Sequence, residues 1–169
     1  AGGDDKLDGG KGNDTLLGHT GNDSLTGSDN ATVFGGEGDD YVLADGTGEA
    51  HGGAGNDFVW ARNGSSGFAA EGNDVVYATQ GSVANAGAGD DFGVATDRSQ
   101  LYGGEGNDRL EVGGASTIYG GAGDDRLTVD FESFKKAGFL LGHAGVVSIP
   151  ATFPMIATAS NSTGPMARF

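Results

Sequence analysis

The sequence contains no cysteine and has 3 prolines, 2 methionines and 1 tryptophan. Without cysteine there is no disulfide framework and no thiolate zinc site. Basic side chains are scarce: Lys and Arg number 9 against 24 Asp and Glu, a formal net charge of −15. A chain this acidic repels phosphate, which excludes nucleic acid as a partner. No run reaches about 18 apolar residues, so no membrane span is expected. The first residue is Ala1, with neither an initiating Met nor a signal peptide, and the chain is expected to be a piece of something longer.

Glycine is the opposite case, at 35 of 169 residues. Each interior Gly costs a helix about 1 kcal/mol, which argues against a helical bundle. Two possibilities survive composition alone. One is a disordered acidic chain. The other is a Gly-rich repeat fold whose charge is neutralised by a ligand.

The repeats decide between them. Gly9 to Leu17 reads GGKGNDTLL, Gly35 to Leu43 GGEGDDYVL and Gly52 to Trp60 GGAGNDFVW. Gly103 to Glu111 reads GGEGNDRLE and Gly120 to Thr128 GGAGDDRLT. Degenerate copies begin at Gly18, Ala69 and Ala86, and Ala1–Asp8 is a copy missing its first residue. From Gly18 onward the copies recur every 17 residues: nine of motif, then eight without it. Near the start two copies adjoin directly, so the first coil takes eighteen. The spacing predicts one coil per unit, with two short strands and two turns, one of which carries the motif. Val42, Val59 and Val76 follow the motif Asp by two positions and should point inward, with β-prone neighbours on either side. Runs this short are stable only when stacked against copies of themselves.

A residue repeated once per coil becomes a ladder. Asp5, Asp23, Asp40, Asp57, Asp74, Asp91, Asp108 and Asp125 should stack along one edge, on rungs about 4.8 Å apart. Carboxylates so close do not all stay ionised unless cations lie between them. Eight rungs leave gaps for about seven divalent ions in one row, close to the charge the chain carries. Carboxylate and turn carbonyls are hard oxygen ligands, and flexible backbone-rich loops suit Ca2+ better than Mg2+. The glycines permit positive φ, which lets carbonyls turn toward the ion. The expected carbonyl donors are Gly36, Gly38, Gly53, Gly55, Gly72, Gly87, Gly89, Gly104, Gly106, Gly121 and Gly123.

The nonapeptide G-G-x-G-x-D-x-U-x, with U a large apolar residue, resembles the RTX or haemolysin-type calcium-binding repeat. The resemblance covers residues 1 to about 128. It implies a parallel β-roll with calcium between turns on the same side, held by the motif Asp and by turn carbonyls. It also implies type I export and calcium-driven folding outside the cell. This chain departs from the pattern in keeping the motif on one edge only. The other edge has Asp14 and then irregular turns such as Ala61-Arg62-Asn63-Gly64 and Thr96-Asp97-Arg98-Ser99. The turn Ala69-Ala70-Glu71-Gly72 has lost two glycines, and an Ala at positive φ should strain it. The roll is expected to begin before Ala1.

The other features sit around that frame. Alternation sends Tyr41, Phe58, Trp60, Tyr77 and Phe92 outward, while inner positions of the middle coils are small: Ala50, Gly67, Ala84 and Gly93. Such a stripe could pack against the tail or a neighbouring domain, or grip a cell-surface polysaccharide; with the opposite facing, its rings would be core. In the tail, Asp130 to Lys136 reads as a short capped helix and Phe139 to Thr158 is strongly apolar. It suits a cap on the solenoid end, or the C-terminal secretion region of exported RTX proteins. His19, His51 and His143 are isolated, there is no H-E-x-x-H, and no serine lies in G-x-S-x-G, so no enzyme is expected.

The sequence therefore predicts an all-β, right-handed parallel β-roll over 1–128 with 17-residue coils and a capping segment over 129–169. The expected role is calcium-driven folding and stabilisation of a secreted or cell-surface protein. The alternatives are an adhesive, S-layer-like or polysaccharide-binding module, and an accessory module of an exported enzyme.

Overall fold

The computed structural model describes residues 2–129, 140–142, 146–148 and 159–160. No helix occurs among them, and none is long and apolar enough to cross a membrane. Strands that follow the motif turn form one sheet. They are β1 (Lys6–Gly10), β3 (Ser24–Asp29), β5 (Tyr41–Gly46), β7 (Phe58–Arg62), β9 (Val75–Thr79), β11 (Phe92–Ala95), β13 (Arg109–Val112) and β15 (Arg126–Val129). Strands that precede it form the other: β2 (Thr15–Thr20), β4 (Thr32–Glu37), β6 (Glu49–Ala54), β8 (Ser66–Glu71), β10 (Val83–Ala88), β12 (Gln100–Glu105) and β14 (Thr117–Ala122).

Within each sheet these strands pair in parallel, each with its copy one coil away. Tyr41 faces Phe58, Phe58 faces Val75, and Val33 faces Ala50. The result is a parallel β-solenoid with coils of 17 residues, as the spacing predicts. The one exception is the eighteen-residue first coil. Lys6 pairs with Ser24 but Gly10 pairs with Gly27, so a bulge between Asp8 and Gly10 absorbs the extra residue.

The core lies between the sheets. Leu25, Val42, Val59, Val76, Leu110 and Leu127 meet Leu16, Val33, Ala50, Ala84, Leu101 and Ile118, all buried. Leucine and isoleucine fill the two ends, whereas Ala50, Gly67, Ala84 and Gly93 leave a narrow waist in the middle coils. The sheets close on it: a Cβ on Gly67 would lie 3.1 Å from Val59, and one on Gly93 would overlap Leu101. Two tail strands continue the sheets in the opposite sense. Strand β17 (Val146–Ser148) runs antiparallel to β14, and β18 (Ala159–Ser160) antiparallel to β15. Strand β16 (Leu140–Gly142) pairs with β17. The helix expected over Asp130–Lys136 lies outside the described residues.

Candidate metal centre

Each motif turn joins a strand of the second sheet to the next strand of the first. Two consecutive residues at its end carry two ladders. The inner one is the motif Asp. Asp23, Asp40, Asp57, Asp74, Asp91, Asp108 and Asp125 are all buried, none more than 3% exposed. In each, Oδ1 accepts the backbone N–H of the motif Asp one coil earlier, at 2.7 to 3.0 Å. The outer ladder is the residue just before. Its side-chain oxygen accepts the N–H of the equivalent residue one coil later, from Asp4 to Asn22 and on to Asp124. Neighbouring N–H groups are thus bonded in opposite directions along the stack.

The second oxygen of every inner carboxylate from Asp23 to Asp125 is buried and has no hydrogen-bond partner. A buried polar atom left unpaired costs about 1–3 kcal/mol, and more when charged. Seven in one row therefore call for a ligand. In the middle of the row burial is also the main reason the carboxyls hold their protons more tightly. Asp57 and Asp91 are pushed up to about 7 and Asp108 to about 6, with neighbouring carboxylates adding to the effect. Asp40 and Asp74 move upward for the same first reason. Asp5, at the exposed end, donates its N–H to Asp23 but is not buried.

In five of the seven coils the orphan oxygen sits in a cradle that only glycine leaves open. A Cβ on Gly18 would overlap Asp23 Oδ2 and crowd the Gly35 carbonyl of the next coil. Gly35 stands in the same relation to Asp40 Oδ2 and the Gly52 carbonyl, Gly52 to Asp57 Oδ2 and the Ala69 carbonyl, and Gly103 to Asp108 Oδ2 and the Gly120 carbonyl. The predicted carbonyl donors lie along the same stack. Gly36 O meets the bare Cα side of Gly53, and Gly38 O that of Gly55. Gly53 and Gly55 have φ of +127° and +134°, where a Cβ is strained. The carbonyl of Ala54, between them, and that of Glu71 at the same place in the next coil are spent on backbone N–H groups. Among the described residues no three acidic or histidine side chains converge. A cation here would be held by motif carboxylates and otherwise by backbone oxygen, a donor set that fits Ca2+.

The non-motif edge differs. Asp14 occupies its first rung, and its Oδ2 is unpartnered. The same ladder position then reads Ala31, Gly48, Ser65, Ser82, Ser99 and Ser116. The four serines are buried and bond across coils: Ser116 Oγ accepts from Ser99 N–H at 3.0 Å, and Ser99 Oγ from Ser82 N–H at 3.2 Å. These hydroxyls do neutrally what the Asp ladder does with charge. The irregular turns expected on this edge therefore share a hidden order, whose signal in the sequence is serine at steps of 17.

These features match a known repeat. The family model of the RTX calcium-binding nonapeptide repeat (4 copies) matches residues 1–31, 27–47, 44–65, 96–116 and 102–131. The chain belongs to the RTX calcium-binding repeat family. Neither a curated protein nor a solved structure matches it. In this RTX chain the strain expected at Ala69-Ala70 is present: Ala70 sits at φ 94°, a conformation glycine holds in the neighbouring coils.

The outward stripe is also where alternation places it. Tyr41, Phe58, Trp60 and Tyr77 flank the buried Val42, Val59 and Val76, Phe92 precedes Gly93 at the same register, and all five are half-buried. They are not core. They lie against neighbours one coil away or more: Tyr41 stacks on Phe58 at 5.0 Å, Phe58 on Tyr77 at 5.4 Å, and Arg109 covers Phe92 at 5.5 Å. The opposite sheet carries a second ladder that sequence reasoning misses. There His51 lies between Phe34 and Phe68 at 4.7 and 5.0 Å, and Tyr102 stacks on Tyr119. Its signal is again the 17-residue step.

Proposed function

We propose that this RTX β-roll folds when its carboxylate ladder meets extracellular calcium, and so stabilises a secreted or cell-surface protein in a structural rather than catalytic role. The contrast between its two ladders carries the reading. Both have the same rung spacing. In the outer ladder no two Asp stand on adjacent rungs: Asp4, Asn22, Asp39, Asn56, Asn73, Asp90, Asn107, Asp124. Glu37, Glu71 and Glu105 likewise alternate with Ala54, Ala88 and Ala122. The inner ladder is Asp on every rung, with a buried unpaired oxygen on each from Asp23 on. Along the outer positions, where only water screens the charge, coil-to-coil repulsion is avoided; along the inner row it is accepted on every rung.

The orphan oxygens of Asp23 to Asp125 would hold the calcium, which when bound would supply the missing positive charge. The chain supplies the rest. Its glycines make the apo chain costly to order, and its buried carboxylates disfavour the fold at neutral pH. Each site adds about 2.7 kcal/mol of folding free energy at a hundredfold excess of ligand over Kd. The neutral serine edge supports a single row. A polysaccharide-gripping role for the aromatic stripe is second to this, because Tyr41, Phe58 and Tyr77 spend their ring faces on each other.

Calcium titration followed by circular dichroism, with bound ions counted by calorimetry, tests the reading. Coil should convert to β-structure, with no more than about one ion per gap. A chain already folded in chelator at neutral pH would overturn it.

A further inference from the structure

Two coils in the middle of the row lack the cradle glycine. Where the other coils have Gly18, Gly35, Gly52, Gly103 and Gly120, these have Ala69 and Ala86. Both methyl groups are fully buried and belong to the core cluster, so neither is turned out of the way. At the five glycine positions a Cβ would overlap the second oxygen of the same coil's motif Asp. At positions 69 and 86 that Cβ is present. Asp74 and Asp91 still spend Oδ1 on the backbone, at 2.7 Å from Asp57 N and from Asp74 N. Their second oxygens are buried and unpartnered like the other five, but they must make room for a methyl where the other coils leave space.

Two further observations fall on the same stretch. The family match stops at residue 65 and resumes at 96. The serine ladder crosses the same coils on its way from Ser65 to Ser116, tying them by hydrogen bonds that need no ion. Lateral support is concentrated nearby too, where Trp60 Nε1 donates to Thr79 Oγ1 at 3.2 Å.

Resting on the calcium reading above, we propose that the row of sites is interrupted. The gaps above Ala69 and above Ala86 do not bind calcium as the others do, and the roll has ion-bound segments on either side of a middle held by neutral bonds. The expected count of about seven equivalent ions then falls by two.

The test is a calcium count on the full chain by equilibrium dialysis and calorimetry, beside the double variant Ala69→Gly/Ala86→Gly and the single variant Gly52→Ala. The double variant should bind two more ions than the parent, and Gly52→Ala one fewer. Equal counts at equal affinity in the parent and the double variant would overturn the interruption while leaving calcium-driven folding standing. If Gly52→Ala does not fold, the double variant, which only removes methyls, still decides. A parent that binds no calcium would overturn both readings together.

Discussion

Replacing Asp57 by Asn should stabilise the calcium-free roll and weaken the calcium-loaded one. The substitution keeps the Oδ1 that accepts Asp40 N–H at 2.8 Å. It swaps the orphan Oδ2 for an amide that can donate toward the Ala69 carbonyl lining the same cradle. Asp57 holds its proton up to about 7 rather than 3.8 because burial penalises its charge. At about 1.36 kcal/mol per pH unit, ionising it at pH 8 costs the fold about 4 kcal/mol at most. Solvent screening along the turn edge reduces this to about 2 kcal/mol. Without calcium at pH 8, D57N should therefore fold more readily by about 2 kcal/mol. Its stabilisation by calcium should shrink by about 2.7 kcal/mol at a hundredfold excess, the value of one lost site. The assay is folding driven by trimethylamine N-oxide in chelator, followed by circular dichroism, and urea unfolding in calcium. A D57N chain that needs more osmolyte than the parent in chelator would refute the reasoning, because ionised Asp57 would then be supporting the fold.

Further expectations follow from the same geometry. Asp57, Asp91 and Asp108 have folded values above their unfolded ones, so their contribution to the apo roll is present below about pH 4 and lost as pH rises through 6 to 7. In chelator the chain should show more β-structure at pH 5 than at pH 8 by circular dichroism, while calcium affinity by calorimetry should fall over the same acidification. Ser99→Ala leaves the N–H groups of Gly81 and Ser82 without their Oγ acceptor. It should cost about 1–3 kcal/mol in urea unfolding with no change in bound calcium. Leu110→Ala, fully buried at a thick end of the core, should cost about 2–5 kcal/mol by the same measurement. Ala70→Gly releases the φ of 94° and should raise stability by about 1 kcal/mol, read as a higher thermal midpoint in calcium.

The period of 17 makes most of the roll legible in the sequence. It places the Asp ladder on one edge, Val42, Val59 and Val76 inside, and Tyr41 and Phe58 outside. What it hides are features with weaker chemistry at the same period. Ser65, Ser82, Ser99 and Ser116 are inconspicuous because serine in a turn is ordinary, and only their burial shows a ladder. His51 looks isolated because Phe34 and Phe68 are each 17 residues away. The direction of each Asx bond is set by turn geometry and leaves no trace in residue identity. The tail lacks the repeat, so nothing in it fixes a register.

The opposed bonding of the two Asx ladders has a consequence for how such a roll grows. Every junction between coils is closed by one side chain from below and one from above: Asn22 reaches up to Asp39 N–H, and Asp40 reaches down to Asp23 N–H. A folding front arriving from either end meets one N–H donor and one side-chain acceptor. The acceptors differ: a front moving toward the C-terminus finds the exposed Asn or Asp of the outer ladder, and one moving toward the N-terminus finds the buried carboxylate of the inner ladder. Any directionality in assembly has a source in that difference, because only one of the two directions docks each new coil onto a carboxylate that burial disfavours.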